Sequence, residues 1–452
     1  MEQVKKNDHY IVDIIDLTYE GMGVAKLENY PIFVANALPS EKVEIKILKV
    51  SKKFAFAKVE QWLKKSKDRV ADTCVTWTQT GIAPLQHMTY HAQLAFKTKQ
   101  VKECLHKQKL DDITVHDTVS SPQEFHYRNK AQVPVQKVNG ALTTGFYRKN
   151  SHDFIPLTHF GIQNQKIDEA LAKICAILDQ YQVSAYNEKT HTGVLRHIII
   201  RRGYYSHEMM VTLVTRKKQL FKGKEIAQAI HQALPEVVSV MQNINDQKTN
   251  VIMGKTFHCL FGKDYIVDTM CGHQFHIASP SFYQVNTPQA EAMYQKAIDL
   301  AQVTKNDIAI DAYCGIGTIT LAVAPHVKEI YGVEVVEEAI DNARENAEIN
   351  HIDQAYFEAG KAEHVIKRWQ RENIQPDVVF VDPPRKGLEQ SFMETMVELA
   401  PKKIAYISCN PATFARDAYY LKEHGYECHD VYPYDMFPQT THVEVVALFE
   451  RG

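Results

Sequence analysis

Beyond about residue 273, short apolar runs alternate regularly with longer amphipathic segments, a pattern that predicts strands and helices wound about a largely parallel sheet. The sharpest instance is DIAIDAYCGIGTITLAVAPHVKEIYGVE, residues 307–334. An apolar run ends in Asp311, a turn holds Cys314, Gly315, Ile316 and Gly317, and an apolar helical segment leads to a second run ending in Glu334. The reading is strand, tight turn, helix, strand, with an acid 23 residues after Asp311. Such a βαβ unit cradles a nucleotide: glycines admit the ligand to the backbone and the second-strand carboxylate takes ribose hydroxyls. At the other end, residues 1–64 alternate short apolar runs with Gly and Pro turns, the pattern of a small barrel. A helical segment is expected at 91–110, and 122–272 carries alternating strands such as YRNKAQVPVQ, VLRHIIIRRG and EMMVTLVTR. The expected division is therefore 1–64, then 65–85 with 122–272, then 86–121 with 273–452.

With 452 residues, 45% hydrophobic and 23% charged, the chain is of ordinary globular composition and long enough for two or three domains. No apolar run reaches transmembrane length and the N-terminus lacks a signal-peptide core, so a cytoplasmic protein without membrane contact is expected. Eight cysteines lie scattered with no C-x-x-C pair, which argues against a zinc site or a disulfide framework. The formal charge of −2 hides an asymmetry. Lys42 to Arg69 holds ten Lys or Arg against three acids, whereas Glu329 to Glu372 carries eleven acids. A basic N-terminal module beside an acidic half suits a polyanionic partner. Arg128, Lys130, Arg148, Lys149, Arg196, Arg201 and Arg202 recur in the middle region, which is expected to dock that partner. Singly, each is read rather as the edge protection of an exposed strand than as functional.

Three more runs of the last region meet polar residues. DVVFVDPPRKG reaches Asp382, KKIAYISCNP reaches Cys409, and HVEVVALFE begins at His442 and Glu444. In an open parallel sheet the carboxyl ends of the strands share one edge, so Asp311, Glu334, Asp382 and Cys409 should converge. If the final strand runs antiparallel, Glu444 joins them. The third glycine of the dinucleotide fingerprint is missing, since Thr318 and Ile319 follow Gly317. Pyrophosphate is thereby disfavoured, and the phosphate-free adenosine of S-adenosylmethionine fits better. A cysteine and a glutamate beside a methyl-sulfonium donor suggest methylation at C5 of a uracil. Thiolate addition at C6 activates C5, and a separate base then removes the C5 proton. Cys409 and Glu444 are candidates for these roles, and Asp382 for orienting the base edge. Each has a bland alternative, a packed thiol or a strand-end acid, and Cys314 is read as packing. Asp382-Pro383-Pro384-Arg385 alone also suits a methyltransferase acting on an exocyclic amine, except that arginine stands where such enzymes carry a stacking aromatic.

Six motifs lie between 281 and 444: SFYQVN (281–286), DAYCGIGT (311–318), GVE (332–334), DPPRKG (382–387), SCNPAT (408–413) and DMFPQTTHVE (435–444). With them the chain resembles the S-adenosylmethionine-dependent RNA uracil-5-methyltransferases, the TrmA/RumA (RlmD, RlmCD) family. The resemblance implies a class I methyltransferase domain, a doubly wound sheet with a final antiparallel strand. It also implies an N-terminal OB-like TRAM domain, through EGMGVAK and LPSEKVEIKI, and a β-rich central domain. It assigns donor contacts to Gln284, Tyr313, Gly315, Glu334 and Asp382, the nucleophile to Cys409 and the base to Glu444. Phe282 falls where relatives pack an aromatic beside the flipped uridine. Many relatives hold an iron–sulfur cluster through C-x5-C-x-x-C and a later cysteine. Here Cys74 remains, but Thr80, Ala83 and Phe160 take the other places, so no cluster is expected. The TRAM-like module points to 23S ribosomal RNA or an assembly intermediate as substrate, in rRNA processing; a monomer is expected separately. Transfer RNA stays open as the alternative.

Overall fold

A computed structural model describes residues 4–71 and 73–452. The first six strands form one sheet: His9–Asp13, Asp16–Leu17, Gly23–Leu27, Tyr30–Ala35, Lys42–Val50 and Ala55–Lys64, in the order 1-5-6-4-3-2. Register shifts between the two longest strands bend the sheet. The Ile15 amide donates to the Val24 carbonyl (2.8 Å), drawing the chain after the first strand toward the third. Val43, Ile45 and Ile47 alternate inward and meet Ile32, Val34 and Ala55, all fully buried. Trp62 packs at the margin of this core, its indole donating to Glu41 (3.2 Å) under the Arg69 guanidinium, 4.9 Å away. Phe33, Phe54 and Phe56 gather outside it, ring centroids 5.4 to 5.8 Å apart.

The middle region is a seven-stranded sheet, in the order 154–156, 141–147, 130–138, 195–202, 209–215, 237–244, 256–262. The helices Gln165–Gln180 and Gly223–Ala233 share its core. The first buries Ile167, Leu171, Ile174 and Leu178, one face of a 3.6-residue period. Not every basic residue here guards an exposed strand. Arg196 is buried and donates to the carbonyls of Asn245, Gln247 and Thr249. Arg201 is buried as well, one arm on the Ser281 carbonyl (2.6 Å). The positions that would hold a cluster are filled by packing. Ala83 and Phe160 are fully buried, Phe160 lies edge-on to Phe146 at 5.5 Å, and Thr80 donates to the Thr76 carbonyl. Among the described residues no three His, Cys, Asp or Glu lie together as a metal site.

The last region builds a nine-stranded sheet in the order 355–359, 329–334, 308–312, 378–381, 403–408, 444–451, 430–434, 114–115, with Tyr426–Glu427 also pairing with 444–451. The first five strands in that order run parallel. Glu444–Arg451 enters antiparallel between two neighbours, with Ser408 opposite Val445. Its first residue therefore stands at the edge where the parallel strands end. Helices cover both faces, and apolar residues of successive strand positions are buried on each. Thr114–Val115 pairs with Asp430–Tyr434, and the helix Tyr90–Lys107 packs against Pro411–Glu423. Among the described residues no helix is long and apolar enough to cross a membrane.

Candidate active site

A cleft of about 680 Å³ opens at the carboxyl edge of the parallel strands. It gathers Phe282, Gln284, Tyr313, Gly315, Glu334, Asp382, Cys409 and Glu444. Arg128 and Lys130 lie elsewhere, in an adjoining cavity of about 380 Å³ whose wall includes Phe282. The two cavities thus share one aromatic side chain.

Local chemistry fixes each wall. The turn after Ile308–Ala312 bends back so that the amides of Tyr313 and Cys314 both donate to the Val333 carbonyl (3.0 and 3.1 Å). Tyr313 takes a φ of 71°, a left-handed conformation that costs a non-glycine residue energy and persists where surroundings over-determine it. At Gly315 φ is 54°, and a methyl group there would meet nothing, so this glycine leaves the floor of the cleft open. Cys314 is buried, in keeping with packing. Glu334 accepts from the amides of Val335 and Val336 through Oε1 (2.7 and 3.1 Å), while Oε2 has no bond among the described residues and is left for a ligand hydroxyl.

Cys409 and Asp382 sit on loops tied to each other. Asn410 caps its own helix through the Ala412 amide (3.1 Å) and donates to the Arg385 carbonyl (2.9 Å). Opposite them, the segment before Glu444 is anchored from outside. Lys97 donates to Asp435 and to the Phe437 carbonyl, Asn286 to Met436, and Tyr127 to Pro438.

The cleft disfavours negative charge. Burial pushes Asp382 up to about 7. Burial and then the Asp382 charge push Glu444 up to about 8, with Arg385 opposing. The Cys409 thiol is raised to about 12 by burial and by Glu444 and Asp382, again with Arg385 opposing. Asp311, fully buried beneath them, is pushed up to about 7 by burial, although Thr320 donates to it at 2.6 Å. A ligand bearing positive charge relieves all four. The free Glu334 oxygen, the open floor at Gly315 and this acidic lining fit a sulfonium donor with its adenosine.

Arg385 was not singled out as functional in the sequence, nor was Phe437, which also lines the cleft. The signal for Arg385 was its position three residues after Asp382; nothing in the local pattern marks Phe437.

A parallel sheet with one reversed strand, an acid-ended second strand and this cleft define a class I S-adenosylmethionine-dependent methyltransferase, with a TRAM domain at the N-terminus. Residues 89–452 match the tRNA (Uracil-5-)-methyltransferase family and residues 3–59 match the TRAM domain. The chain belongs to the uracil-5-methyltransferase family, and is an RNA methyltransferase dependent on S-adenosylmethionine. It is 51% identical to a protein of Enterococcus faecalis described as an uncharacterized RNA methyltransferase, covering 99% of this chain and 98% of that one. A Lactiplantibacillus plantarum protein of the same description is also 51% identical, with 99% and 98% covered. In structure the chain is similar to the Pyrococcus abyssi tRNA (uracil-54, C5)-methyltransferase solved with S-adenosyl-L-homocysteine. The TM-score is 0.78 at 27% identity, covering 97% of this chain and 100% of that one.

Proposed function

We propose that this chain methylates C5 of a uridine in 23S ribosomal RNA, with Cys409 as nucleophile and Glu444 as base. The observation that carries the reading is the meeting of Cys409 and Glu444 in the donor cleft from two antiparallel neighbours, with Asp382 beside them. Bound S-adenosylmethionine supplies an electrophilic methyl group. Glu334 holds its ribose hydroxyls, and Gln284, Tyr313, Gly315 and Asp382 line its seat. The target base leaves its stack to enter, and Phe282, 71% exposed, offers it a ring to pack on. Asp382 accepts from the uracil N3–H. The Cys409 thiol gives its proton to solvent as its sulfur bonds to C6, the C5–C6 pair becomes nucleophilic at C5, and C5 takes the methyl group while the donor leaves as its neutral thioether, S-adenosylhomocysteine. Glu444 then removes the C5 proton, the double bond re-forms and the C6–S bond breaks, returning the thiolate. A carboxyl poised near 8 suits that proton transfer at neutral pH.

The lysine-rich N-terminal sheet with its half-buried phenylalanine trio supports a structured ribosomal RNA as partner. The likeness to the archaeal enzyme supports the second reading, a transfer RNA. Work as a monomer in the cytoplasm belongs to the proposal. The test uses 23S and transfer RNA fragments carrying 5-fluorouridine, incubated with S-adenosylmethionine and run on a denaturing gel. Fluorine cannot leave as a proton, so the adduct is trapped. A covalent species with 23S fragments that is lost in Cys409→Ala supports the reading. Adduct with transfer RNA alone transfers the activity there, and methylation without any adduct refutes the Cys409 mechanism.

A further inference from the structure

The cavity beside the active cleft holds three cations and no acidic side chain in its described lining. Lys130 and Arg201 face each other across neighbouring antiparallel strands, and Arg128 lines the same cavity two residues before Lys130. Like charges directly opposite on a sheet repel. Among the described residues none of the three forms an ion pair, and the Asp268 carboxylate that acts on Arg201 from farther off already accepts from the amides of Tyr204, Tyr205 and Ser206. Arg201 is 3% exposed, and while its Nη2 donates to the Ser281 carbonyl, its Nη1 is buried with no partner. Gln163, 4% exposed and in the same lining, leaves Oε1 unpartnered. Burial and the two arginine charges push Lys130 down to about 7, and no neighbour opposes the shift. An isolated protein gains little from this arrangement, since Lys130 and Arg201 repel and the Arg201 Nη1 and Gln163 Oε1 lose water without a partner, while ring faces at 6.0 Å (Phe437 for Arg128, Tyr283 for Arg201) are weak compensation.

Apart from Gln132, the rest of the lining is largely apolar, with Ile82, Phe146, Ile162, Phe282, Tyr283 and Val285. A volume of about 380 Å³ exceeds what one phosphate needs and suits a nucleotide. Phe282 separates this cavity from the one holding Cys409 and Glu444. Resting on the reading of the chain as an RNA-modifying enzyme, we infer that this cavity binds the nucleotide adjoining the target uridine, with its phosphodiester held by Lys130, Arg128 and Arg201 and its base against the apolar wall. Extruding the target base swings the backbone toward the protein, and a cationic seat one nucleotide away holds it there. Phosphate contacts of this kind position the strand and carry no sequence preference.

The test is a cycle on RNA binding. Wild type and Lys130→Gln are titrated with a hairpin containing one loop uridine, whose two flanking phosphodiesters are replaced singly by neutral methylphosphonates. One of the two replacements should cost wild type about tenfold in affinity, the scale of a charge-assisted hydrogen bond. Lys130→Gln on unmodified RNA should cost about the same and lower the slope of log affinity against log salt by about 1. The two changes together should cost no more than either alone. Lys130→Arg should restore binding, and thermal unfolding of Lys130→Gln should not fall below wild type, because a buried repulsion is removed. Multiplying effects, or no effect of either change, overturn the inference, as does a protein that binds no RNA. The cycle reads binding alone. A coupled cycle without methylation of the RNA leaves this seat standing and defeats the proposed activity, whereas methylation with an uncoupled cycle does the reverse.

Discussion

Lys97 and Asp435 form an ion pair, Nζ to Oδ1 2.5 Å, in which neither side chain is exposed to solvent. Burial lowers the lysine pKa and raises that of the aspartate, each partly offset by the partner's charge. A buried pair gains little net stability, because desolvation cancels most of the attraction. Its effect here is positional: the same ammonium donates to the Phe437 carbonyl and pins the segment leading to Glu444 (3.1 Å).

Removing one partner should therefore be far worse than removing both. Lys97→Met leaves Asp435 buried and uncompensated, at a cost of about 3–5 kcal/mol, and adding Asp435→Leu should recover much of it. Urea denaturation of the two variants checks this; equal stability of Lys97→Met and wild type would show that the pair contributes nothing.

Glu444 gives a pH signature. Its folded pKa of about 8 lies above the unfolded value of 4.5, so the folded form binds the extra proton between them. The stability it contributes is complete below about pH 4.5 and is lost as pH rises toward 8, at a slope on the order of 1 kcal/mol per unit. Measured at pH 5, 6.5 and 8, the stability gap should shift steadily in favour of Glu444→Gln. Parallel curves would place the carboxyl in water.

The same substitution should separate the chemical steps. With no base for the C5 proton, Glu444→Gln should accumulate a covalent protein–RNA species on ordinary uridine, visible on a denaturing gel and absent in the Cys409→Ala, Glu444→Gln double variant. Free turnover by Glu444→Gln would assign the base to another group.

Gly315→Ala places a methyl group where the cleft is open and holds alanine at a φ of 54°. The backbone cost should be about 1 kcal/mol, while calorimetry should show S-adenosylmethionine binding weakened well beyond that. Unchanged donor affinity would move the donor off this turn.

For Glu334→Ala the expected loss in donor affinity is about 1.5–3 kcal/mol, the range for hydrogen bonds to a charged group. The variant should still bind RNA. Calorimetry with S-adenosylmethionine beside a filter assay with RNA reads the two effects separately.

The catalytic sheet was legible because each of its apolar runs meets a polar residue at one end, so Asp311, Glu334, Asp382 and Cys409 could be aligned before any coordinates. The last strand does run antiparallel, the condition on which the sequence placed Glu444 at the same rim. What stayed hidden depends on partners distant in sequence. Lys97 is one of five lysines in a segment that reads as a solvated basic helix, yet it is wholly buried because Asp435 meets it from 338 residues away. Arg201 and Lys130 each look like strand-edge protection until the register sets them face to face. Trp62, within the lysine-rich run 42–69, packs at the margin of the first core with Arg69 over its ring and Glu41 on its indole nitrogen.

The pairing of Thr114–Val115 with Asp430–Tyr434, and of Lys97 with Asp435, sets an order on synthesis. The emerging chain exposes its first sheet and then the middle one while the helix that will brace the active cleft waits without its partners. That helix and the short strand after it must keep their apolar and charged faces unengaged until more than three hundred further residues have left the ribosome. Assembly of the cleft is thus a closing event, completed only when the two ends of the catalytic region meet, and a chain cut before residue 435 lacks the reversed strand that brings Glu444 to the cleft.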